Sequence, residues 1–153
     1  APSEATPRTP ARGRLRRAGV ALLQALARLY LRRTRPRVVA IAGGRGKTVL
    51  KRTLVEMLSA RLRVRSNPLS YNTDVGLPFA ILEAGFDTRS GVRVARGLLR
   101  ALWNAVFLPA DDVLVLELGA RQPGDMRALL RVVQPEMAVI TELGPSYSED
   151  QSA

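Results

Sequence analysis

The chain has 153 residues, 46% of them hydrophobic, which is enough for one domain with a real core. It has no cysteine, which excludes a disulfide framework and thiolate chemistry, and no histidine, which removes the commonest general base and metal ligand. The net charge of +11 is carried by one end: residues 1–37 hold ten arginines against the single acid Glu4, so the basic balance marks an N-terminal arm and not a nucleic-acid-binding domain.

Residues 1–13, "APSEATPRTPARG", are rich in Pro, Ser and Thr and read as a disordered arm without the apolar core of a signal peptide. Residues 14–35 read as a basic amphipathic helix with Leu15, Ala18, Leu22, Leu26 and Leu29 on one stripe. Its central apolar run is too short to span a bilayer. An amphipathic basic helix either docks its stripe on a core or lies on an anionic membrane surface. Sparse aromatics, at 5%, argue against nucleic acid as its partner.

Residues 36–153 read as the domain proper. Pro36 ends the helix, and "RVVAIA" is a buried strand running into the glycine loop "GGRGKT". The next segment is helical, with Val49, Leu50, Leu54, Met57 and Leu58 expected inward. "RVRS" is a short strand and "NPLSYNTDVGLP" a loop. Residues 92–107 form an apolar helix on which Trp103 and Phe107, four apart, are expected to face the core. "DVLVLELG" is a strand covered on both faces, "PGDMRALLRVV" starts a helix, and "MAVITELG" is one more buried strand. Alternating strands and helices predict a three-layer α/β domain of P-loop type with a mostly parallel sheet. Ligands of such sheets collect beyond the carboxyl ends of the strands. The glycine loop, Glu117 with Gly119, and Glu142 with Gly144 all fall there.

The loop is shorter than the common nucleotide loop, because Ile41 stands where the first glycine of G-x-x-x-x-G-K-[ST] belongs. Gly43 through Thr48 still offer what a phosphate needs: backbone N–H groups at a helix start, glycines that allow close approach, and an ammonium. Of 24 basic residues only Lys47 and Lys51 are lysines, so a lysine directly after Gly46 is informative. Thr48 offers a hydroxyl to Mg²⁺, an ion that favours oxygen ligands and keeps several waters. Read without function, the loop is a tight strand-to-helix turn, and Glu117 a strand-end acid paired with Arg121 or left in water.

The blocks "VVAIAGGRGKT", "NTDVGLP" and "VLVLELGARQPGDMRALLRVVQPEMAVITELGP" together resemble the ATP-dependent Mur ligases in type and order, from Pro36 to Pro145. That family uses the short loop. The resemblance implies a cytoplasmic enzyme of cell-wall precursor synthesis that uses ATP and Mg²⁺ to turn a peptide carboxylate of a UDP-muramoyl-peptide-like substrate into an acyl phosphate, which an amine then attacks. By position it makes Gly43, Gly44, Arg45, Gly46, Lys47 and Thr48 the ATP loop, with Lys47 catalytic. It makes Thr48 and Glu117 the metal ligands, and puts Asn72 and Thr73 beside the substrate.

Several positions depart from the family pattern. Ala42 replaces the threonine before the loop, and Val49 and Leu50 replace the hydroxyl residues after it. Glu142 stands for an asparagine and Tyr147 for a histidine. The match also stops before the family's later blocks, so the domain is expected to be incomplete at its C-terminal end. The alternative is a catalytically inactive nucleotide-binding module whose basic arm contacts membrane or another partner.

Overall fold

The computed structural model describes residues 10–68, 71–85, 90–120 and 124–142, with side chains from residue 17 onward. Elements follow in the order α1 (Pro10–Thr34), β1 (Arg37–Ala42), α2 (Lys47–Ser59), β2 (Val64–Ser66), α3 (Gly76–Ile81), α4 (Gly91–Phe107), β3 (Val113–Glu117), α5 (Asp125–Leu130) and β4 (Met137–Ile140). The strands form one sheet in the order β2-β3-β1-β4, and every pairing is parallel. β1 lies in register with β3 from Arg37↔Val113 to Ile41↔Glu117, which sets the glycine loop and the glutamate side by side at one sheet end.

Strand periodicity divides the core into two. Val38 and Ala40 of β1 and Leu114 and Leu116 of β3 face a large cluster that also holds α1, α3, α4 and α5 side chains. Ile41, Val113 and Val115 face the other way, onto Leu50, Leu54, Val55 and Leu58 of α2. The domain is therefore three-layered, as its strand–helix alternation predicts, and β3 is buried at every position because both of its faces are covered.

Four expectations about facing are corrected. α1 begins at Pro10, ahead of Arg14, with proline tolerated in the first turn. Its buried face is Leu23, Leu26, Ala27 and Tyr30, while Ala18, Leu22 and Leu29 are exposed, so the stripe is rotated from the one the leucines suggest. Leu15 lies outside the described side chains. On α2, Val49 and Met57 point to solvent, because one short helix on a narrow sheet buries only the arc through Leu50, Leu54 and Leu58. On α4, Trp103 and Phe107 are exposed and stacked on each other, with centroids 4.2 Å apart, and the buried residues are Gly97, Ala101 and Ala105. β4 is an edge strand with Met137, Ala138 and Ile140 exposed; an apolar run alone cannot tell an edge from a centre. A short helix, α3, also occupies part of the expected loop, started by Thr73 Oγ1 accepting from Gly76 N at 3.1 Å.

α1 is fixed to the domain by a polar lock as well as by packing. The Tyr30 hydroxyl, inside a fully buried residue, donates to Asp111 Oδ2 at 3.0 Å or Pro109 O at 3.1 Å, and accepts from Arg65 Nη2 at 2.7 Å. Arg65 also bonds Asp111 and Ile81 O. No helix among the described residues is long and apolar enough to cross a membrane.

Burial raises the Tyr30 pKa above the usual 10.0; nearby Arg65 opposes the shift and Asp111 adds to it. A raised folded-state pKa means that the stabilisation is complete below about pH 10 and is lost as pH rises through the folded value. Tyr30→Phe is expected to cost about 1–3 kcal/mol at neutral pH, because Arg65 and Asp111 lose a buried partner. Urea melts of both proteins across pH 7–11 should show that cost shrinking above pH 10.

Candidate functional site

β1 delivers the chain into a turn that only glycine can make. Gly43 has φ +120°, and a Cβ there would lie 2.4 Å from Thr141 Oγ1 and 3.0 Å from Thr141 N, so β4 sets the loop's ceiling. Gly46 has φ +81° and is the residue from which α2 starts. The Gly44 N–H is committed to Glu142 O at 2.6 Å, and Thr141 N bonds Ala42 O at 2.9 Å. The backbone of Thr141 and Glu142 thus braces the loop, while the Glu142 side chain is exposed.

Lys47, the first residue of α2, folds its ammonium back over the loop and donates to Gly43 O and Gly44 O, each at 2.7 Å. Thr48 Oγ1 donates to Glu117 Oε2 at 3.0 Å. Arg45 is exposed at the tip. These residues, expected at the site from the sequence, are brought together at the carboxyl ends of β1 and β3. Asn72 belongs to the same cluster: its carbonyl accepts from Gly119 N at 3.0 Å, and its side chain sits so close that a Cβ on Gly119 would lie 2.6 Å from Nδ2. Thr73 is spent as the starter of α3. Tyr147, Gly144 and Arg121 lie outside the described residues.

Two residues at the centre of the site were not picked out by sequence reasoning. Lys51, 4% exposed, lies 3.3 Å from Glu117 Oε2 and donates to Asn67 O at 2.7 Å. Glu117 itself is 5% exposed. Among the described residues its charge is balanced by a buried lysine of α2. Asn67, 2% exposed, accepts from Glu117 N at 2.8 Å through Oδ1 and donates to Glu117 O at 2.9 Å through Nδ2. Its side chain continues the β2–β3 ladder one step past Ser66. The signal for Lys51 was present, since both lysines of an arginine-rich chain lie four apart on one helix. Asn67 carries no such signal.

The donor set fits magnesium. Thr48 Oγ1 and Glu117 Oε2 are both oxygens, and their 3.0 Å separation is about that of adjacent ligands on an octahedron of 2.0–2.1 Å radius. Among the described residues no three His, Cys, Asp or Glu side chains gather as a metal cage.

No family model matches the chain. Curated relatives do: the UDP-N-acetylmuramoyl-tripeptide–D-alanyl-D-alanine ligase of Bacillus subtilis is 29% identical over 128 residues, 84% of this chain and 23% of the relative. Its namesake from Borreliella burgdorferi is 29% identical over 133 residues, 87% of this chain and 23% of the relative. The Escherichia coli protein of the same name is 28% identical over 117 residues, 74% of this chain and 20% of the relative. Among solved structures, the MurF ligase of Thermotoga maritima in complex with ADP superposes with a TM-score of 0.61 at 29% identity, over 82% of this chain and 24% of that one. The chain thus spans less than a quarter of the length of these relatives.

The buried pair can be tested by itself. Lys51→Met strands the Glu117 carboxylate and is expected to cost about 3–5 kcal/mol. Lys51→Met combined with Glu117→Gln should cost clearly less than the sum of the single losses, as measured by urea unfolding. Additive losses would mean that the two charges do not depend on each other.

Proposed function

We propose, from the likeness of the chain to Mur ligases in sequence and in fold, that it is a member of that family and that residues 36–153 are the ATP-binding portion of an ATP-dependent amide ligase of cell-wall precursor synthesis. The observation that carries the reading is the convergence of Lys47, Thr48 and Glu117 at the carboxyl ends of two adjacent parallel strands. ATP and a UDP-muramoyl-peptide-like acid are the proposed substrates, and the cytoplasm, where both are made, is the proposed compartment.

A carboxylate is a poor electrophile because its leaving group would be oxide. Transfer of the γ-phosphoryl group to a carboxylate oxygen gives an acyl phosphate and ADP; attack by an amine then forms the amide bond and releases phosphate and a proton. Positioning and charge neutralisation carry most of such a reaction. Gly43 and Gly46 let the backbone approach phosphate oxygens, and α2 points its positive end at them. Lys47 exchanges its two loop carbonyls for phosphate oxygens and neutralises charge on the transferred group. Thr48 and Glu117 would hold Mg²⁺, which supplies Lewis-acid neutralisation of the nucleotide phosphates when bound. Lys51 pairs with the Glu117 carboxylate, and the Asn67 amide holds the Glu117 backbone. Asn72, packed on Gly119, lies on the substrate side. Tyr147 occupies the position of the family's histidine, and a neutral phenol is a poor ligand for a second magnesium.

Peripheral contact with the inner membrane surface belongs to the same proposal. α1 contributes charge to it through the exposed Arg28 and Arg32, while its buried stripe is engaged in the core.

ATP affinity measured by calorimetry with and without Mg²⁺ tests the site. The chain is expected to bind ATP more tightly with Mg²⁺, and Lys47→Ala to weaken binding about tenfold to hundredfold, the worth of a charge-assisted hydrogen bond. Thr48→Ala should remove most of the Mg²⁺ enhancement. Affinity that is indifferent to Mg²⁺ and to Lys47→Ala would refute the reading.

A further inference from the structure

Helix α4 is built inside out. Its inward arc is Gly97, Ala101 and Ala105, which bring it close to its neighbours: a Cβ on Gly97 would lie 3.2 Å from Gly85 O. At about 100° per residue, Val92, Leu99, Trp103 and Val106 fall within an arc of about 60° on the opposite side. That arc is in solvent, with Leu99 67% and Trp103 63% exposed. A folded chain places its small residues outward and its bulky apolar ones inward unless something else covers the bulky face.

The neighbouring surface extends this arc. Arg33 of α1 donates to Ala105 O and Leu108 O, so the flank of α1 that carries Arg33 faces α4. Leu29, one turn earlier on that flank, and Leu22, two turns earlier again, are exposed, as is Leu102 of α4. Asn104 Nδ2 donates to Leu82 O at 2.7 Å, which turns the other flank of α4 towards α3. On that side Arg93, Arg96 and Arg100 line an open groove with Tyr71 and Gly85. Neither α1 nor α4 contains a single acidic residue, and α1 adds Arg28 and Arg32 on its outer side. Leucine, valine and tryptophan over a ridge, with arginine on both margins and no carboxylate on either helix, match a surface that is apolar below and anionic above.

The geometry points to α4, with the adjoining edge of α1, as the element that docks this chain on an anionic lipid surface: the Leu99–Trp103–Val106 ridge enters the acyl boundary and Arg96 and Arg100 take the headgroup phosphates. This deepens the peripheral-contact part of the proposed function by moving the apolar anchor from α1 to α4, and it does not depend on the nucleotide site. A second copy of the chain fits less well, because two such faces would set arginine margin against arginine margin.

Trp103 is the only tryptophan, so its emission reports on the ridge alone. The whole chain is mixed with vesicles of phosphatidylglycerol and phosphatidylcholine, or of phosphatidylcholine alone, and followed by emission and flotation. Expected are a blue shift and flotation with the anionic vesicles only. Leu99→Ser/Val106→Ser, at exposed positions, should weaken the vesicle affinity at least tenfold, and Arg96→Gln/Arg100→Gln should weaken it and reduce its salt dependence. Both variants should keep the wild-type ATP affinity, so that failure of docking and failure of the nucleotide site are read separately. Three outcomes would overturn the proposal: no shift with anionic vesicles, equal flotation of wild type and Leu99→Ser/Val106→Ser, or a shift that follows protein concentration without vesicles, which would assign the ridge to a second copy.

Discussion

The pairing of Lys51 with Glu117 is the contact around which the ligand end of the sheet is organised. Both groups are nearly excluded from water, and an isolated charge at either place would be too costly to keep. The cost is offset because both groups have further partners, and no buried side-chain nitrogen or oxygen among the described residues lacks one. Thr48 donates to the carboxylate, Asn67 O accepts from the ammonium, and the Asn67 amide occupies both backbone groups of Glu117. Asn67 Nδ2 also reaches Tyr71 O at 3.0 Å. One pair of charges therefore joins the second turn of α2, the end of β3, the exit of β2 and the segment that carries Asn72. A carboxylate held in this way keeps an oxygen beside Thr48 without relying on solvent.

The loop on the other side of this pair is constrained by geometry more than by charge. Gly43 combines a backbone conformation that L side chains rarely adopt with a contact against Thr141 that leaves no room for a methyl group. β4 contributes little buried surface, and as an edge strand it looks dispensable. Its role is at its end, where Thr141 and Glu142 tie their backbones to Ala42 and Gly44. At Glu142 the loop uses the backbone carbonyl, and the side chain is exposed.

These constraints explain what the sequence made legible. The parallel sense of the sheet and the meeting of the loop with Glu117 follow from alternating elements and from glycine, lysine and threonine spacing, which are local signals. What stayed hidden depends on contacts between distant segments. Glu117 could be seen as an acid needing a partner, but the partner is 66 positions earlier. Asn67 acts by imitating a peptide group, and any asparagine before a loop looks the same in sequence. Facing was misread on α1, α2 and α4 for a common reason: each helix is apolar around more than one arc, and periodicity then gives a stripe without saying which stripe meets the sheet. On α4 the inward arc was the one with the smallest side chains, which a search for large hydrophobic residues passes over.

The same misreading bears on how the two ends of the molecule work together. α2, which the glycine loop leads into, belongs to the sheet face built on Ile41, Val113 and Val115. α1 and α4 belong to the opposite face, with Leu26, Tyr30, Ala101 and Ala105 in the cluster that covers Val38 and Leu114. A surface held by the α4 ridge is therefore separated from α2 by the thickness of the sheet. The two sites share no side chain, so lipid contact need not compete with nucleotide for either lysine. They are joined on the groove side, where Tyr71 lies beside the α4 arginines and its carbonyl accepts from Asn67, the residue that holds Glu117. An anchored domain with this arrangement would present its strand ends, and the segment that carries Asn72, along the membrane surface and not into it.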